Sequence, residues 1–138
     1  MRKIKRSKGV QDGLAMKSVN IFMTSASRGA LDSIPSENRS QAVRRFACIL
    51  IAAHDNGNAK IVPEVKRVVD LSGPRQRRNI RNANTVDWVK AIVWLPREMV
   101  LSIERIFGSD EITPSEFLRA AVIMGVKPEE LREFIPFP

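Results

Sequence analysis

The sequence holds a single cysteine, Cys48, and a single histidine, His54, among its 138 residues. That scarcity excludes a disulfide framework and a structural zinc centre, both of which need several such side chains at fixed spacing. Apolar runs of about eighteen residues are also missing, so no membrane-spanning helix and no membrane partner is expected. The N-terminus is basic but lacks an apolar signal core behind it, and the expected compartment is the reducing cytoplasm. Glycine-rich phosphate loops and nucleophile motifs are absent. Cys48 lies among Phe46, Ala47, Ile49 and Leu50 without a base to activate it, which predicts a buried, inert thiol. His54 reads as a helix C-terminal residue, and Asp110-Glu111 and Glu129-Glu130 read as solvated acids. No catalytic residue, no metal and no cofactor is expected.

What the chain has in excess is positive charge. Lys and Arg number 23 against 15 Asp and Glu, a formal net charge of +8. The surplus is concentrated: residues 1–81 hold seventeen of the cations and six of the acids, +11, whereas residues 82–138 come to −3. Residues 1–15 form a basic N-terminal arm, and a basic connector, residues 57–87, carries Arg75, Arg77 and Arg78 behind Gly73-Pro74. Clustered cations suit a polyanion, because they release the counterions condensed on a phosphate backbone. Within the connector, Pro63 to Leu71, with Val65, Val68 and Val69 on one side, reads as a helix.

The most informative feature is an internal repeat. In residues 16–24, Val19, Ile21 and Met23 alternate with Ser18, Asn20 and Phe22, the pattern of a strand with one buried face. A short helix over about residues 26–35 follows, then Asn38-Arg39-Ser40-Gln41 with the spacing of a capping box. Ala42, Val43, Phe46, Ala47, Ile49, Leu50 and Ala53 make the next helix apolar as far as Asn56-Gly57. The order then recurs. Val89, Ala91, Val93 and Leu95 alternate with Trp88, Lys90, Ile92 and Trp94. Met99, Val100, Ile103, Ile106 and Phe107 recur at helical spacing up to Gly108, which reads as the stop. Thr113-Pro114-Ser115-Glu116 is the second capping box, ahead of Phe117, Leu118, Ala121, Val122 and Met124.

A lone strand leaves backbone groups unpaired on both edges, so one such unit cannot stand alone. Two units solve this if their strands pair antiparallel over shared helices, with the connector running around the outside. The expected fold is mainly α with a two-stranded antiparallel ribbon. Residues 16–138 form one domain of two units, 16–56 and 88–126, with a C-terminal helix over 127–135. Ser18, Asn20, Phe22, Lys90, Ile92 and Trp94 then share the ribbon's outer face. A two-stranded ribbon has the width to enter the major groove of B-DNA.

The segment Ala91-Ile92-Val93-Trp94-Leu95-Pro96-Arg97-Glu98, followed by Thr113-Pro114-Ser115-Glu116-Phe117-Leu118-Arg119, resembles the ribbon-helix-helix (MetJ/Arc) superfamily. Members are usually homodimers. The present chain resembles a single-chain tandem form, a pseudo-dimer, as in the relaxosome accessory proteins of conjugation and T-DNA transfer. The resemblance implies base-facing positions at Ser18, Asn20, Phe22, Lys90, Ile92 and Trp94. It also implies phosphate contacts at Asn38, Arg39, Ser40, Thr113 and Ser115, in keeping with anion binding at helix starts. The implied partner is double-stranded DNA, bound by a monomer, with a relaxase or another transfer-complex protein beside it. Phe22, Ile92 and Trp94 depart from the polar reading residues of the family. They contact thymine methyls, stack on single-stranded DNA, or are covered by the chain or a partner. A transcriptional repressor and a protein-interaction module (antitoxin or adaptor) are the alternative functions.

Overall fold

The computed structural model describes residues 15–72 and 88–126; the basic arm, Arg75, Arg77, Arg78 and the expected C-terminal helix lie outside them. The described residues are mainly helical and carry one two-stranded sheet. Strand β1 (Met16–Thr24) leads into α1 (Ser25–Asp32), α2 (Arg39–Asp55) and α3 (Ile61–Leu71). Strand β2 (Trp88–Pro96) leads into α4 (Arg97–Phe107), a single 3-10 turn (Gly108–Asp110) and α5 (Pro114–Val126). None of the described helices is long and apolar enough to cross a membrane.

The two strands pair antiparallel along their whole length, from Met16 opposite Pro96 to Thr24 opposite Trp88, with Asn20 opposite Ile92. Alternation decides their faces. Ile21, Met23, Ala91, Val93 and Leu95 are buried, with Val19 and Val89 packed at the margin. Ser18, Asn20, Lys90, Ile92 and Trp94 are exposed, and Phe22 is half-buried.

Both second helices begin as their sequences predict. At α2 the Gln41 N–H donates to Asn38 Oδ1 (2.9 Å) and the Asn38 N–H donates to Gln41 Oε1 (2.8 Å). At α5 the Glu116 N–H donates to Thr113 Oγ1 (3.1 Å) and the Thr113 N–H to Glu116 Oε1 (3.0 Å). Two otherwise orphaned donors are satisfied at each start. The α5 helix is buried almost all round, and Phe117 meets Phe107 with ring centroids 4.6 Å apart.

Two expectations need correction. The connector does not simply pass around the outside: α3 starts at Ile61, two residues before Pro63, and buries Ile61, Val65, Val68 and Val69 in the common core. Pro63 is harmless there because the first-turn N–H groups have no intrahelical acceptor. Cys48 is exposed, and its neighbour Ile49 is 58% exposed. In the run Phe46 to Leu50 every residue is apolar, so periodicity could not pick the inward side; Phe46, Ala47 and Leu50 take it. Gly108 does end α4, as its C-cap, with φ −63°; the left-handed residue is Glu111, at φ 61°. Trp88, in phase with the outer face, is partly buried, its ring lying 5.9 Å from the guanidinium carbon of Arg119.

Candidate functional site

The ribbon's outer face carries side chains that the core does not use. Three rungs span it: Ser18–Trp94, Asn20–Ile92 and Phe22–Lys90. Each sets a hydrogen-bonding side chain beside an apolar one. Ile92 and Trp94 remain 49% and 52% exposed, large apolar surface left in water.

A two-stranded ribbon has two free edges, whose backbone groups need partners. Here the helices supply them crosswise. Ser40, in the first turn of α2, accepts the Trp94 N–H of β2 at 3.0 Å. Ser115, in the first turn of α5, donates its hydroxyl to the Asn20 carbonyl of β1. Each second helix is thus pinned to the strand of the other repeat. On the β2 edge two arginines add to this. Arg44 Nη1 donates to the Trp94 carbonyl at 2.9 Å, and Arg28 Nη1 reaches the Lys90 carbonyl at 3.5 Å. Two guanidinium groups therefore lie along the β2 edge, Arg28 at the exposed Lys90 and Arg44 at Trp94.

Of the residues expected to hold phosphate, Ser40 and Ser115 stand at the ribbon's edges, and the side chains of all five described ones already have work. The Asn38 and Thr113 side chains cap their helices, and the Ser40 and Ser115 hydroxyls hold strand backbone. Arg39 makes a two-pronged pair with Asp32, at 3.0 and 2.7 Å. Those hydrogen bonds hold the Asp32 carboxyl below its ordinary 3.8, against a smaller opposing effect of burial. Arg45 likewise grips Glu37 at 2.8 Å and lowers its pKa. Arg28 and Arg44 were not singled out by the sequence, because nothing local marks which isolated arginines will border a strand formed elsewhere in the chain.

No family model matches this chain, and no curated protein or solved structure matches it either. Chemical function therefore rests on the site itself. Among the described residues no group of three or more His, Cys, Asp or Glu could hold a metal ion. A concavity of about 280 Å³ lies between α2 and α5, lined by Arg45, Phe46, Ile49, Leu50, Ala121 and Met124. It is apolar and carries no nucleophile or acid–base pair. The outer ribbon differs: its face is exposed, bordered by cations along the β2 edge, and mixed in hydrogen-bonding capacity.

Proposed function

We propose that this chain is a double-stranded-DNA-binding protein that lays its ribbon in the major groove as a monomer, its two ribbon-helix-helix units forming an internal pseudo-dimer. The observation that carries the reading is the outward face of the ribbon, with Arg28, Arg44 and Lys90 beside it. The major groove, about 12 Å wide, admits a two-stranded ribbon, and its base edges offer acceptors, donors and thymine methyls. Ser18, Asn20 and Lys90 meet the first two; Phe22, Ile92 and Trp94 meet the methyls. The crosswise pinning of α2 to β2 and of α5 to β1 supports the pseudo-dimer, since each unit completes the other's sheet edge. Phosphate contact falls to the amide groups of Arg39, Ser40 and Ser115, since those of Asn38 and Thr113 are held by Gln41 and Glu116 and Pro114 has none, with Arg39, Arg75, Arg77 and Arg78 as cationic partners. The formal charge of +8 favours such a partner. The role we assign is an accessory factor for conjugative or T-DNA-type transfer; a repressor would need the same chemistry.

Gel-shift titration over a salt series tests the reading. Affinity should fall steeply and log-linearly with salt, and affinity flat with ionic strength would refute it. Half-exposed Ile92 and Trp94 also suit a protein partner, since apolar anchors of this kind dominate interfaces. Trp94→Ala separates the two: loss of DNA affinity favours the groove, and unchanged DNA affinity favours a docking patch.

A further inference from the structure

β1 and β2 are nine residues each and pair end to end, so the Asn20–Ile92 rung stands at the middle of the ribbon. A twofold axis through that rung exchanges Ser18 with Lys90 and Phe22 with Trp94. Both exchanges preserve chemical type, a hydrogen-bonding side chain for another and an aromatic ring for another. At the axis itself an amide is set against a branched hydrocarbon. The ribbon is therefore twofold in character at its outer rungs and broken at its centre.

Both central side chains are exposed, Ile92 by 49%. The strands that bear them are held from outside, the Asn20 carbonyl by Ser115 and the neighbouring Trp94 N–H by Ser40. Residues directly opposed across an antiparallel pair bring their Cβ atoms to about 4.5–5.5 Å. The amide and the hydrocarbon thus address the same part of the groove. An A·T pair shows there an acceptor and a donor on adenine and a methyl group on thymine; T·A reverses their order, and G·C has no methyl. Asparagine is suited to the adenine edge and an apolar side chain to the methyl.

We propose, resting on the DNA-binding reading above, that the Asn20–Ile92 rung reads one A·T pair in a single orientation and so sets the direction in which the chain lies on its duplex. Asn20 donates from Nδ2 to adenine N7 and accepts the N6 hydrogen at Oδ1, while the Ile92 side chain covers the thymine methyl. The substrate class is a duplex whose flanks are roughly twofold and whose centre is not.

Cys48, the chain's one cysteine and exposed on α2, supplies the probe. Duplexes are first selected by the wild-type chain from a random pool, and iron–EDTA is then coupled to Cys48. Hydroxyl-radical cleavage should fall on one flank of the selected site. Inverting the central A·T pair should weaken binding on the order of tenfold, and the double variant N20I/I92N should prefer the inverted duplex. Equal cleavage of both flanks, or inversion without effect, overturns the inference and leaves DNA binding standing. Failure of the pool to enrich, with no shift of any duplex at low salt, overturns the DNA-binding reading itself. If N20I/I92N does not fold, Asn20→Ala decides: it should bind both central orientations alike, and a retained preference refutes the proposal.

Discussion

Replacing Arg119 by Met should lower stability by about 1–3 kcal/mol, and the reasoning starts from where that guanidinium lies. Arg119 is 4% exposed on α5. Its Nε donates to Ser72 Oγ at 3.1 Å and its Nη2 to the Val69 carbonyl at 3.0 Å. Val69 is in the last turn of α3, where carbonyls have no intrahelical donor. The arginine therefore closes the C-terminus of α3 against α5. A hydrogen bond from a charged donor contributes about 1.5–3 kcal/mol net, so two contribute about 3–6. Against this stands the cost of desolvating the cation, several kcal/mol, which methionine would remove. Methionine also retains most of the aliphatic packing, and the Ser72 hydroxyl can still donate to Val69, from which it lies 3.3 Å. The balance left is the 1–3 kcal/mol stated. For a chain of this size it corresponds to a fall in Tm of about 4 °C per kcal/mol. Thermal denaturation followed by circular dichroism measures it, and amide exchange locates it, since protection should fall first in α3. Arg119→Ala should cost more by the cavity it adds. A Met variant that melts at or above the wild-type temperature with α3 equally protected would refute the argument: desolvation would then outweigh the hydrogen bonds.

Other substitutions probe the ribbon's frame and the surface charges. Ser40→Ala and Ser115→Ala should each cost about 0.5–1.5 kcal/mol in urea denaturation, because each strips a partner from a strand edge; additive behaviour of the pair would fit their placement on opposite edges. Gly125→Ala should destabilise although alanine favours helix by about 1 kcal/mol, because the new Cβ would stand 2.5 Å from the Phe46 ring. In a Phe46→Ala background the same change should become stabilising, which a double-mutant cycle reads directly. The carboxyls of Asp32, Glu37 and Asp55 are held below their ordinary values, first by hydrogen bonds from Arg39, Arg45 and His54 respectively. Groups depressed in the folded state stabilise above their ordinary pKa and lose that contribution as pH falls through the folded value. Stability should hold down to about pH 5 and decline below about pH 4, and Asp32→Asn with Glu37→Gln should flatten that acid limb in a pH series of thermal melts.

Much of the architecture is legible in local pattern. Alternation of Val19, Ile21 and Met23, and again of Ala91, Val93 and Leu95, is enough to place two strands and their inner faces. Asn38-Arg39-Ser40-Gln41 and Thr113-Pro114-Ser115-Glu116 mark two helix starts within a residue, because capping is chemistry between neighbours. The outer-face residues follow from the same alternation. Cys48 and Ile49 were misplaced because an unbroken apolar run carries no period. Arg28 and Arg44 were missed because their partners lie 62 and 50 residues away.

The contrast between Arg44 and Arg119 separates the two kinds of information. Each stands six residues after its helix cap, at the same place in the repeat. Arg44 is partly exposed and reaches the Trp94 carbonyl, whereas Arg119 is buried against α3. Sequence alone determined the repeat, the two strands, the caps and the excess of positive charge, because each depends on residues close together in the chain. Only tertiary structure decided which arginine faces the ribbon and which one the core. α3 packs its apolar side against α5, so it buries one copy of the position and leaves the other beside the strand.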